Sequence, residues 1–243
     1  MFRLKLDDSR VEGGARLEVH AGYSCNLVDH KNATSWLDFG WDTLDVLHFG
    51  GRTVAVQRGG AATWMSPTRP GRGCDPVATP GHAALITHAR SQGVRVVLAV
   101  HWNNSLGSDS LYDFFHDTAA MRASAASMCA LAKQARCDGL SVDYEVGNVR
   151  FNSTFKELFA DYLQLLSTFA TKEKLTVTPT LFMDLPGNTG VDAAAIADAS
   201  TDGVVLMTYD YHWGCSDRVA GPNTPFIGNN GSNVSLQQFI TKL

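Results

Sequence analysis

Residues 139–145, Gly139-Leu140-Ser141-Val142-Asp143-Tyr144-Glu145, alternate small or acidic side chains with large apolar ones. Side chains alternate across a strand, so Gly139, Ser141, Asp143 and Glu145 share one face while Leu140, Val142 and Tyr144 share the other. A solvated surface strand has no use for three large apolar residues on a single face. The pattern suits a parallel strand of an α/β barrel, whose outer face packs on helices and whose carboxyl end carries chemistry. Two carboxylates two residues apart at that end outline an acid/base site.

The rest of the chain repeats strand and helix in turn, the pattern of βα units around a parallel sheet. Six strands are predicted, roughly Leu17 to Tyr23, Leu44 to Phe49, Arg95 to His101, Gly139 to Glu145, Leu175 to Leu181 and Gly203 to Tyr209. Phe155, Leu158, Phe159, Tyr162, Leu165, Leu166 and Phe169 recur at helical spacing and predict an amphipathic helix. An alanine-rich helix from about Thr118 to Arg136 feeds the acidic strand, its small side chains allowing close approach to the sheet. Arg58 to Pro80, rich in Gly, Pro and Arg, reads as a long surface loop. At 243 residues and 44% hydrophobic content, the chain can bury a core as one domain over 1–243. Too little sequence follows the sixth strand for two more βα units. The chain is therefore expected to be either an α/β TIM (β/α)8-type barrel with only about six of its eight strands, C-terminally incomplete, or an open α/β sheet.

A net charge of −4, with no long run of Lys or Arg, gives no basis for a nucleic acid or anionic membrane partner. No apolar run approaches the roughly 18 residues that span a bilayer. Sequons at Asn32, Asn103, Asn152, Asn230 and Asn233 point to a secretory-pathway protein, secreted or lysosomal, whose signal peptide is absent from this chain. Five cysteines (Cys25, Cys74, Cys129, Cys137, Cys215) permit one or two disulfides. His48 and His101 lie near strand ends, but no His-x-His or His-Glu-x-x-His spacing supports a metal, and no cofactor is expected.

Two motifs carry a resemblance. Asp138-Gly139-x-x-x-Asp143-x-Glu145 is similar to the signature of family-18 glycoside hydrolases, the chitinases and their relatives. Met207-Thr208-Tyr209-Asp210-Tyr211 resembles the family's sixth-strand motif and falls on the strand counted sixth above. A weaker likeness runs from about Gly22 to Leu243. Within the family, residues 91–98 and 205–210 look closest to the lysosomal di-N-acetylchitobiase branch.

The resemblance implies retaining hydrolysis of β-1,4-linked N-acetylglucosamine oligomers, chitin or chitobiose-type substrates, without an enzyme nucleophile. The substrate's own 2-acetamido oxygen attacks the anomeric carbon. Glu145 is the implied general acid and then base, Asp143 orients the acetamido group, and Tyr209 steadies its oxygen. Asp210, Met207, Ser141 and Asp138 complete the implied substrate-binding set, Asp138 with a structural role at the start of the strand. Met207 also suits plain core packing. Trp102, Tyr144 and Trp213, near strand ends, are candidates to stack on sugar faces. The family usually has aspartate where this chain has Ser141. Its usual Ser-x-Gly-Gly is absent from the third strand, which ends Val100-His101-Trp102-Asn103. It also places on its eighth strand a tryptophan that has no counterpart here. A catalytically silent, carbohydrate-binding relative and a metal-dependent barrel hydrolase are the rival expectations.

Overall fold

The computed structural model describes residues 2–4, 17–24, 37, 39–64, 75, 79–102, 108–144, 153–182 and 193–207. They form one mostly parallel sheet with helices between its strands. The strands are β1 (Phe2–Leu4), β2 (Leu17–Ser24), β3 (Val46–Val56), β4 (Ala62–Trp64), β5 (Arg95–Trp102), β6 (Gly139–Asp143), β7 (Thr176–Phe182) and β8 (Val205–Met207). The helices are α1 (Pro80–Ser91), α2 (Ser108–His116), α3 (Thr118–Gln134), α4 (Ser153–Lys172) and α5 (Ala193–Ala199). Sheet order is β1-β2-β3-β5-β6-β7-β8, with β4 paired to β3. The pairings from β2 to β8 along this path are parallel, while β1 and β4 are antiparallel additions.

Each of the six predicted strands is present among the described residues, and the predicted ends of the fourth and sixth at Glu145 and Tyr209 lie outside them. The second differs most, because β3 continues through Gly50 and Gly51 to Val56. Gly50 has φ 126°, a conformation that costs an L-residue heavily, and the register with β5 shifts between Phe49 and Val54. Glycines that look like a strand's end here mark a bulge within it. The expectation of a loop over Arg58 to Pro80 is corrected in part. Ala62–Trp64 turns back as β4 against the end of β3, and the Ala62 N–H donates to Ser127 Oγ of α3 at 2.8 Å. That strand is too short for its periodicity to show.

The helices form for identifiable reasons. Asp117 caps α3, its carboxylate accepting from the N–H groups of Ala119 and Ala120 at 2.9 and 3.0 Å. Pro80 opens α1, where its missing N–H costs nothing. Leu85, Ile86 and Ala89 of α1, Leu111, Phe114 and Phe115 of α2, Ala125, Met128 and Ala132 of α3, and Phe159, Tyr162, Leu163 and Leu166 of α4 are buried in the core. Against them lie Val96, Leu98 and Val100 of β5, Leu140 and Val142 of β6, and Val177 of β7. The helix-facing core is continuous and almost wholly apolar.

The other face is concave. Arg95 at the start of β5 reaches Asp202, just before β8, with Nη1 2.6 Å from Oδ2. In a flat sheet, strands spaced about 4.8 Å apart would separate β5 from β8 by about 14 Å, beyond an arginine's reach. The sheet therefore curves around this face.

Candidate active site

The concave face is read layer by layer from the strand register. At the amino ends Gly139 stands opposite Thr176, and a Cβ on Gly139 would lie 2.2 Å from Thr176 Oγ1 and 2.8 Å from its carbonyl oxygen. Only glycine fits this approach of β6 to β7. In the next layer Ser141 faces Ala99 on one side and Thr178 on the other. At the carboxyl end of β6, Asp143 faces His101 of β5.

Ser141 is the centre of a buried polar chain. Its Oγ is 3.0 Å from His48 Nδ1 and 3.4 Å from Thr180 Oγ1, and His48 Nε2 is 2.9 Å from His20 Nδ1. His20, His48 and Ser141 are all buried. The chain passes over β5 between His48 and Ser141, where the short Ala99 side chain leaves room. Where the two histidines meet, one nitrogen carries the proton and the other accepts it. Strand alternation places Ser141 on this face, but His20 and Thr180 escape sequence reasoning because only the strand register sets each of them diagonally across from its partner on the neighbouring strand.

Above this chain, Asp143 Oδ2 lies 3.4 Å from His101 Nδ1. The two side chains keep 19% and 17% of their surface exposed; Asp143 Oδ1 is itself buried, so the carboxylate meets the open side with the oxygen that faces His101. A carboxylate in such a place can orient a polar substrate group and balance positive charge that develops on it.

The remaining expected residues separate clearly. Asp138 takes the structural role. Its Oδ2 accepts the Val96 N–H at 2.9 Å, its Oδ1 is 3.0 Å from Arg90 Nη2, and its own N–H donates to Val96 oxygen at 2.6 Å. It ties α1, β5 and β6 together at the amino end, roughly 16 Å along the strand from Asp143, so its place in the substrate-binding set is corrected. Trp102 and Tyr144 are corrected too. Both point away from Asp143 into the helix-facing core and are 3% and 7% exposed. Trp102 packs on Phe114 and Tyr144. Tyr144 Oη is 3.1 Å from Tyr162 Oη, which is 2.7 Å from Ser124 Oγ and 3.2 Å from Met128 Sδ. A sugar could reach neither ring without dismantling the core. Met207 is buried and shares its strand face with Val205, the partner of Thr180, so it lines the concave side. Glu145, Tyr209, Asp210 and Trp213 lie outside the described residues, as do the five sequon asparagines and Cys25, Cys74 and Cys215.

Cys129 and Cys137 are free thiols buried in the helix-facing core. Burial, with a smaller push from Asp138 that Arg90 opposes, raises the Cys137 thiol to about 12. Among the described residues no group of three or more His, Cys, Asp or Glu side chains is arranged to hold a metal ion. No helix of the described residues is long and apolar enough to cross a membrane.

Comparison with known proteins agrees with this geometry. The chain resembles the Ostrinia furnacalis Group II chitinase catalytic domain 2, with a TM-score of 0.72 at 16% identity over 93% of this chain and 59% of that one. It resembles the Ostrinia furnacalis Group IV chitinase in complex with allosamidin, with a TM-score of 0.67 at 19% identity over 93% and 61%. A chitinase from Chromobacterium violaceum gives 0.60 at 18% identity over 81% and 57%. This chain thus spans 57 to 61% of the length of these three structures. At such identities the likeness is one of fold. A search of curated proteins gives no match. The profile of Glycosyl hydrolases family 18 matches residues 82–242, well over half of the 243 and inclusive of both motifs. The chain belongs to glycosyl hydrolases family 18.

Proposed function

We propose that this chain is a retaining glycosidase that cleaves β-1,4-linked N-acetylglucosamine oligomers with the help of the substrate's own acetamido group. Glu145 protonates the leaving oxygen as the acetamido oxygen closes on the anomeric carbon, then takes a proton from the incoming water. Asp143 orients the acetamido N–H and balances the charge that develops there, and Tyr209 steadies the acetamido oxygen. Asp210 and Met207 line the sugar site, and Trp213 is the remaining aromatic candidate for stacking. No cofactor takes part. Among its relatives we place the chain nearest the di-N-acetylchitobiase branch, and in a secreted or lysosomal setting.

One observation carries this reading. Asp143 stands half-sheltered at the carboxyl end of a parallel strand, on the concave face, while Leu140, Val142 and Tyr144 of the same run are locked in the core behind it. A substrate-positioning carboxylate needs that combination of access and rigid backing.

Incubation with a fluorogenic N-acetylchitobioside tests it. The expected outcome is turnover that survives a chelator and falls at least about 10²-fold in Glu145→Gln, the lower bound for losing a general acid. Turnover lost to the chelator shows a metal-dependent hydrolase instead. Binding without turnover shows a carbohydrate-binding protein, and near-full rate in the variant removes Glu145 from the role of acid.

A further inference from the structure

We infer that His101 is the positioning residue for Asp143, the group that holds this carboxylate in place to receive the substrate's acetamido N–H. The inference rests on the hydrolase reading for the identity of that ligand.

The serine two residues before Asp143 is engaged elsewhere. Ser141 Oγ is bonded to His48 Nδ1 at 3.0 Å and to Thr180 Oγ1 at 3.4 Å, both directed across the concave face and neither toward Asp143. His101 is the cross-strand partner of Asp143 in the β5–β6 ladder, so the backbone itself brings the two side chains together at the open end of the sheet. Nδ1 of the imidazole lies 3.4 Å from Oδ2, a distance that a small rotation on ligand binding shortens to a hydrogen bond. The next residue, Trp102, is packed on Phe114 and Tyr144, which fixes the backbone that carries His101. With Oδ1 buried, an imidazole N–H beside Oδ2 sets the rotamer of the carboxylate, and the second lone pair of Oδ2 is left preoriented for a ligand.

This arrangement makes a prediction that a merely structural histidine does not. A residue that only supports the fold lowers the amount of folded protein, whereas one that orients Asp143 weakens binding of a ligand that presents an acetamido-derived nitrogen. The probe is an N-acetylglucosamine thiazoline, a stable mimic of the cyclised acetamido group, titrated by calorimetry into wild type, His101→Ala and His101→Asn, with turnover of the chitobioside measured in parallel. Asparagine returns an N–H near the position of Nδ1. Expected are a thiazoline affinity about 10- to 10²-fold weaker in His101→Ala, the scale of a misplaced catalytic group, and recovery of most of the loss in His101→Asn. In turnover, kcat falls while KM changes little.

The outcomes separate the two claims. Wild-type turnover with an unchanged His101→Ala affinity overturns the role of His101 and leaves the hydrolase reading standing. Thiazoline binding that depends on His101, without wild-type turnover, overturns the hydrolase reading and keeps the positioning role. A wild type that neither binds nor turns over removes both. Equal weakening in His101→Ala and His101→Asn also overturns the inference.

Discussion

Leu140 and Ser141 are neighbours in the chain and inhabit different chemistries. Leu140 enters a core of aliphatic and aromatic side chains from α1 to α4, whose buried polar groups include His82 of α1 and a knot of Ser124, Tyr144 and Tyr162 around Met128. Ser141 enters a face of histidines, hydroxyls and small apolar residues that ends in Asp143 and His101. Both regions are buried, yet the first gains stability from apolar area and close packing, while the second must bond every polar group it hides merely to break even. A chain keeps such a face for what it does with it. Departures from apolar packing gather where a fold carries function, and on the concave side they form a connected layer from His20 through His48 and Ser141 to Thr180.

The largest expected effect comes from breaking the helix-facing side. Leu140→Ala removes a side chain with no exposed surface and leaves a cavity, which costs about 2–5 kcal/mol in urea unfolding. Because Leu140 points away from Asp143, the fraction that still folds should turn over the chitobioside at a rate close to wild type. An equal loss of kcat would show that the two faces are mechanically coupled.

An intermediate effect comes from alkali, again on the helix side. Burial raises the Tyr162 hydroxyl from 10.0 and the Cys137 thiol from 9.0 to about 12 each. Both are neutral when protonated, and the folded chain holds these protons more tightly than the unfolded chain. Their stabilisation is therefore complete below about pH 9 and is lost as the pH rises toward 12, by up to about 1.4 kcal/mol per pH unit for each group. Urea midpoints that stay level between pH 8 and 10.5 would contradict the burial of these groups. Thiol labelling should likewise reach Cys129 and Cys137 only through unfolding.

The two faces also differ in how far they can be read from sequence. The helix-facing side is a matter of local pattern: apolar strands such as Val96, Leu98 and Val100, and the stripe of α4 through Phe159, Tyr162 and Leu166, are legible because each period is set by its own backbone. Alternation likewise puts Tyr144 with Leu140 and Val142, and that pattern outweighs its place at the strand end, the one feature that suggests a sugar platform. The length of β3 and the presence of β4 are illegible for a local reason too, since Gly50 and Gly51 resemble a terminus and a strand of three residues has no period. The concave side is a different matter. His48 lies 28 residues from His20 and 93 from Ser141; the first bond depends on the β2–β3 register, and the second reaches over β5 because the sheet curves. Ser141, Asp143 and Glu145 could be assigned to one face from sequence, but His101 gained its meaning only when the β5–β6 register set it opposite Asp143.

The smallest effect is expected where the contrast is sharpest, one residue from Leu140. Ser141→Ala removes a hydroxyl that bonds His48 and Thr180 and creates almost no cavity. The loss is that of the bonds and of whatever desolvation the histidine and threonine can no longer offset, about 1–2 kcal/mol. If the concave face were a packed core like its counterpart, this change would be nearly silent, as the loss of one oxygen from an apolar site is. If it is a bonded polar layer, the cost appears and depends on His48. A double-mutant cycle with His48→Ala distinguishes these, because removing both partners should cost less than the sum of the single losses. Additive losses would mean that His48 and Ser141 are merely adjacent, and that the polar layer beneath Asp143 is not a connected one.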